Sequence, residues 1–154
     1  MLSPRIVFVV GHSNWGKSET LRALTSGSYR QRRITINSLE LFIRRSSNDD
    51  DPETFIKLMK SIDPVRWPYV IAALCPNFDV KARKTQLVLE LLQSKGYKFF
   101  FWVIKHKYGT DTAIASEEIA RLRAFGKVEV VTETVEASKR AREFKNYIAG
   151  VALA

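Results

Sequence analysis

Arg5-Ile6-Val7-Phe8-Val9-Val10-Gly11-His12-Ser13-Asn14-Trp15-Gly16-Lys17-Ser18 is the stretch on which the fold turns. Its first six residues read as a short buried strand, and the segment that follows, Glu19-Thr20-Leu21-Arg22-Ala23-Leu24, has the composition of a helix. Between them Gly11, Gly16, Lys17 and Ser18 fill every fixed position of the pattern G-x-x-x-x-G-K-[ST]. Glycines at 11 and 16 let the backbone bend and approach an anion closely, while successive N–H groups and the helix N-terminus turn their positive ends toward it. Residues Gly11, His12, Ser13, Asn14, Trp15, Gly16, Lys17, Ser18 and Glu19 are therefore the expected cradle of a nucleoside triphosphate. In that reading Lys17 is a surface loop cation that meets the β- and γ-phosphates, and the Ser18 hydroxyl binds Mg2+.

Outward from this stretch the chain alternates strands and helices. Residues 33–37 alternate polar and apolar side chains, and 39–43 either continue that strand after a kink or return as a hairpin. Asp51-Pro52-Glu53 starts a helix whose Phe55, Ile56, Met59 and Ile62 recur at helical spacing. Tyr69 to Cys75 is apolar on both faces, as a central parallel strand must be. A helix over 80–94 with Leu87, Val88, Leu91 and Leu92 inward precedes Gly96, a C-terminal glycine stop. The rest reads as a buried strand at 98–104, a basic loop at 105–112, a helix at 116–124, a strand at 127–132 and a helix from Val135 to Ala149. The order predicts an α/β fold in one domain over residues 1–154, with a mostly parallel five-stranded sheet and helices on both faces. Ligands of such sheets bind at the carboxyl ends of the strands, where the glycine loop lies.

Composition narrows the rest. A chain of 154 residues with 45% hydrophobic and 27% charged residues suits one globular domain. No apolar run reaches the length of a membrane span and no secretory signal opens the chain, so a cytoplasmic location is expected. The single cysteine, Cys75, precludes an intrachain disulfide and reads as a small buried hydrophobe. The net charge of +9 is evenly spread: 8 Lys/Arg against 5 Asp/Glu over residues 1–51, 7 against 4 over 52–95, and 10 against 7 over 96–154. Clusters such as Arg30/Arg32/Arg33, Arg44/Arg45 and Lys139/Arg140/Arg142 read first as solvated faces and loop edges. A nucleic-acid surface is the less favoured reading of the same charge, and a phosphate-bearing partner also suits it.

The glycine loop with its flanking strand and helix resembles the P-loop NTPase superfamily, over about 25 residues. That resemblance implies ATP or another triphosphate with Mg2+, a strand order of 2-3-1-4-5, and an acid near the end of the neighbouring strand to organise the metal. Here that strand runs into Cys75-Pro76-Asn77-Phe78-Asp79, which makes Asp79 either the metal-related acid or the N-cap of the next helix; Asp49 and Asp50 are the alternatives. No D-x-x-G follows the central strand, and Lys105-His106-Lys107-Tyr108 stands where a guanine reader would carry N-K-x-D, so ATP is expected over GTP. No acid pair of the ATPase kind follows any strand. The layout looks most like a small P-loop kinase. Its lid would fall within 105–124, with Lys105, Lys107, Arg121 and Arg123 beside Lys17 as cations for migrating phosphate. The acceptor, anionic or phosphate-bearing, would sit over 34–55, with Glu40, Asp49 or Asp50 as its carboxylate. The alternative is a regulatory module whose nucleotide state is read by a protein or nucleic acid. Trp15 either shields or stacks on the ligand or packs on a neighbouring loop. His12 and His106 lack partners at metal or triad spacing and receive no catalytic role.

Overall fold

Strand β1, Arg5–Val10, is buried at all six residues because it has a parallel neighbour on each side. On one side lies β4, Tyr69–Leu74, and on the other β5, Lys98–Ile104; Val7 stands opposite Ile71 and Phe100 respectively. These bonds come from a computed structural model that describes residues 2–28, 30–49, 51–107, 110–132 and 136–154. Phe8 and Phe101 stack across neighbouring strands with ring centroids 5.8 Å apart. Each such ring, wholly withdrawn from water, contributes about 1.5–3 kcal/mol. Parallel strands buried on both faces explain why these segments are continuous apolar runs instead of alternating ones.

The sheet has six strands in the order β2-β3-β4-β1-β5-β6, where the sequence predicted five. The extra strand comes from the segment left open between a kink and a hairpin: β2, Arg33–Ile36, and β3, Leu39–Ile43, pair antiparallel. Asn37 and Ser38 turn the chain with φ of 54° and 64°. Two successive left-handed residues make the tight turn whose twist matches a hairpin. Serine is a poor advertisement for that conformation, so the signal was weak. β3 then runs parallel to β4, and β6, Gly126–Val131, runs parallel to β5. A Cβ on Gly126 would lie 2.4 Å from the Phe99 carbonyl oxygen, so this edge approaches too closely for any side chain.

Helices α1, Lys17–Leu24, and α5, Ala137–Tyr147, pack together, as do α2, Pro52–Ser61, and α3, Thr85–Ser94. Since β1 and β4 are buried throughout, both faces of the central sheet are covered. α2 begins as expected: Asp51 accepts from the Thr54 N–H at 3.1 Å and Pro52 occupies the first turn. α3 begins later than the predicted residue 80, after a 3-10 turn over Lys81–Arg83 and a left-handed Lys84. Its inward face is consequently Thr85, Val88, Leu89 and Leu92, and Leu87 is exposed. Asp79 thus caps neither element. Helix α4, Ser116–Arg123, lies where predicted. α5 gives way to a π-helical turn over Ile148–Ala152, tied to β1 by the Arg5 guanidinium donating to the Ala152 carbonyl at 2.8 Å. The predicted helix start at Val135, the residue Tyr108 and the acid Asp50 lie outside the described residues. No helix among the described residues is long and apolar enough to cross a membrane.

Candidate phosphate-binding site

Residues 11–16 leave β1 and deliver the chain into α1. The Gly11 N–H bonds the Leu74 carbonyl at 3.1 Å, fastening the loop to the end of β4, and the Trp15 N–H closes a turn on the His12 carbonyl at 3.2 Å. Asn14 and Gly16 both have positive φ, 66° and 90°. Gly16 is the N-cap of α1, and no side chain caps it. The first N–H groups of a helix have no acceptors within it, so those at the start of α1 remain available to an anion in the loop. Gly16 suits its left-handed backbone, and a Cβ there would lie 2.4 Å from Nη2 of Arg140, whose side-chain end would have to shift.

Lys17 departs from expectation. It is buried, not a surface cation, and its ammonium donates to the Gly11 carbonyl at 2.6 Å, the His12 carbonyl at 2.9 Å and Oδ2 of Asp49 at 3.1 Å. A charge this deep needs a counter-charge, and Asp49 is it. Ser13 also donates to Oδ2 of Asp49, at 2.9 Å. Burial alone pushes the Asp49 carboxyl up; the neighbouring Ser47 hydroxyl, the Lys17 charge and the bond from Ser13 outweigh it and hold the group below its ordinary value. The other oxygen, Oδ1, is buried without a hydrogen-bond partner.

What places Asp49 there is Asn48, whose side chain is fully buried. Its amide donates to the Cys75 carbonyl at 3.2 Å, the Arg83 carbonyl at 3.1 Å and Thr85 Oγ1 at 2.9 Å, and its oxygen accepts from the Cys75 N–H at 2.7 Å. The Arg83 guanidinium also donates to the Asp49 carbonyl oxygen. The loop after β3 is therefore stitched to the end of β4 and the start of α3. Lys17, Ser18 and Asp49, with Asn14, Glu19 and Arg45, line a cleft of about 240 Å3.

The remaining expected residues divide. Lys107 lines a second cleft, of about 390 Å3, on another side of the loop with Trp15, Glu19 and Arg140. Trp15 is itself buried, edge-on to His12 with centroids 5.1 Å apart, which is the packing alternative for that residue. Asp79, Lys105, Arg121 and Arg123 line neither cleft. Asp79, with 92% of its side chain exposed, pairs with Arg121 at 3.0 Å, and that guanidinium lies 4.3 Å from the Phe78 ring centre. The Lys105 N–H bonds the Val131 carbonyl, and Arg123 is exposed on α4. The structure brings Asp49 to Lys17 and leaves Asp79 apart.

Three residues escaped the sequence reading. Asn48 carried no signal in a polar loop. Arg140 sits on the apolar stripe of α5 beside Ala141 and Phe144, which was the available clue; buried, it donates to Thr20 Oγ1 at 3.0 Å and the Gly16 carbonyl at 3.5 Å. Glu118 of α4 meets Nε2 of His12 at 3.2 Å, while Nδ1 of His12 lies 3.8 Å from the Cys75 sulfur. In this line of thiol, imidazole and carboxylate Cys75 is buried, and burial pushes its thiol up, away from the thiolate form. Among the described residues no group of three or more His, Cys, Asp or Glu side chains is arranged to hold a metal. A magnesium ion shared with a triphosphate needs fewer protein ligands. The orphaned Oδ1 of Asp49 and the Ser18 hydroxyl on the same cleft fit that smaller demand. No protein-family model matches the chain, and no curated protein matches it.

Proposed function

We propose that this chain is a P-loop nucleotide-binding protein that takes ATP with Mg2+, its triphosphate seated between the 11–18 loop and Asp49. The observation that carries the reading is the Lys17 ammonium, buried among loop carbonyls and matched to a single carboxylate at the N-terminus of an uncapped helix. Arriving phosphate oxygens compete with Asp49 for Lys17. The ammonium would turn to them, and the freed Asp49 carboxylate and the Ser18 hydroxyl are the groups that would hold Mg2+. Mg2+, when bound, neutralises phosphate charge and fixes the orientation of the chain of phosphates. The first-turn N–H groups of α1 complete the cradle.

Between phosphotransferase and regulatory module, the placement of the basic residues favours the module. Arg121 is engaged with Asp79, and only Lys107 of the four expected transfer cations borders the loop. The contact of His12 with Glu118 supplies a route by which the loop's state reaches α4. A kinase-like transfer to a phosphate-bearing acceptor is the second reading, favoured by Lys107.

Titration calorimetry with ATP and GTP, each with and without Mg2+, tests the proposal, followed by a turnover assay across acceptor pools. ATP is expected to bind more tightly than GTP. Lys17→Met, which keeps the buried stem, is expected to lower ATP affinity at least tenfold. A folded variant that binds ATP like the parent overturns the reading, and turnover on any acceptor selects the phosphotransferase.

A further inference from the structure

The β2–β3 hairpin carries a second basic feature, unconnected with the glycine loop. Arg33 and Phe42 are cross-strand partners and so project from the same face. Phe42 stacks on Trp67, ring centroids 4.4 Å apart at 20°. Around these two rings stand three guanidinium groups: Arg33 at 5.0 Å and Arg66 at 5.7 Å from the Trp67 centroid, and Arg44 at 4.2 Å from that of Phe42. Arg32 adds its charge to Arg44. Among the described residues none of these four arginines forms an ion pair. The nearest acids in sequence are Glu40 on the hairpin and Asp63, whose carboxylate accepts from the Val65 N–H. Nε of Arg44 is buried with no hydrogen-bond partner. Burial, followed by the like charge of Arg32, pulls the Arg44 guanidinium below its ordinary value.

Arg32, Arg33 and Arg66 are exposed and Arg44 half-buried, so this face presents a cluster of positive charge, unpaired among the described residues, beside two aromatic rings. We infer that this face of the hairpin binds single-stranded nucleic acid. Arginine forks match phosphate oxygens in pairs, and guanidinium groups beside aromatic rings offer bases partners for stacking. An acidic peptide would use the charges but not the planes. A lipid surface would call for exposed apolar groups, and among the described residues the exposed large hydrophobics are Val65, Val80 and Leu87, of which only Val65 belongs to this region.

Fluorescence anisotropy with labelled oligouridylate and oligothymidylate, without nucleotide, tests the inference independently of the triphosphate reading. The parent is expected to bind both at low salt, with log affinity falling linearly as log salt rises. Arg33→Gln/Arg44→Gln/Arg66→Gln is expected to weaken binding at least tenfold and to reduce the magnitude of the salt slope by about 2. The charge-matched control Lys139→Gln/Arg142→Gln/Lys145→Gln, on exposed positions of α5, is expected to change it far less. If the first triple variant does not fold, Arg33→Gln alone should lower the slope by about 0.7. Absence of binding by the parent, an unchanged slope in the hairpin variant, or an equal loss in the α5 control overturns the inference. Tighter binding to poly-glutamate or to phosphatidylserine vesicles overturns the choice of partner.

Discussion

At Asp49 one carboxylate carries two consequences that separate cleanly. Its charge balances Lys17, so Asp49→Asn leaves a buried ammonium uncompensated, a change that costs about 3–5 kcal/mol in comparable pairs. Because the folded state holds the Asp49 carboxyl below 3.8, the stabilisation is complete above that pH and is lost as pH falls through the lower folded value. Melting temperature against pH should therefore lose part of its acid limb in the variant. In binding the sign reverses: with no carboxylate competing for Lys17, metal-free ATP is expected to bind Asp49→Asn more tightly than the parent, and the gain from Mg2+ to shrink. Asp79→Asn, by contrast, breaks only an exposed pair, and exposed pairs contribute little. It is expected to change neither melting temperature nor Mg-ATP affinity. A sharp Mg2+ defect in Asp79→Asn with none in Asp49→Asn would return the metal role to the residue that the sequence had pointed to.

Among the elements, the hairpin holds the clearest local conflict. Ser38 is left-handed, a conformation that costs an L-residue about 1–2 kcal/mol, whereas glycine adopts it freely at some entropic cost. Ser38→Gly is expected to stabilise the protein by about 0.5–1 kcal/mol, read from denaturant midpoints at unchanged slope. The same turn shows where sequence reading stops. Apolar runs at 6–10, 69–75 and 99–104 announced the central strands, and Asp51-Pro52 announced α2, because each signal is local and strong. The hairpin depended on two residues of left-handed backbone that neither side chain demanded. The late start of α3 depended on Asn48 and Thr85 meeting the Cys75 carbonyl, a contact between segments far apart in the chain. In the site, the turn from β1 into α1 was legible in Gly11 and Gly16, but the burial of Lys17 was not. Nor was the carboxylate, since a polar loop of Ser, Asn and Asp looks the same whether solvated or folded onto a lysine.

Across the whole molecule, the loop touches α4 through His12 and Glu118, and Arg121 of α4 makes an exposed pair with Asp79 in the segment after β4. ATP that reshapes the loop should therefore alter amide hydrogen exchange in residues 116–123, and Glu118→Gln should blunt the change without abolishing ATP binding. Unaltered exchange in α4 at saturating ATP would confine the nucleotide's effect to the loop. The sheet order has a further consequence, for how the chain comes to be folded. β1 stands between strands that begin at residues 69 and 98, so neither neighbour exists while only the first few dozen residues have been made. Until then its apolar segment has no partner, and the glycine loop that depends on it has no fixed shape. Pairings this distant in sequence are slow to form and leave hydrophobic strands open to misassociation. On the proposed reading a nucleotide would reward the finished sheet without templating it, and chaperone demand should fall on the interval between synthesis of β1 and the arrival of β5.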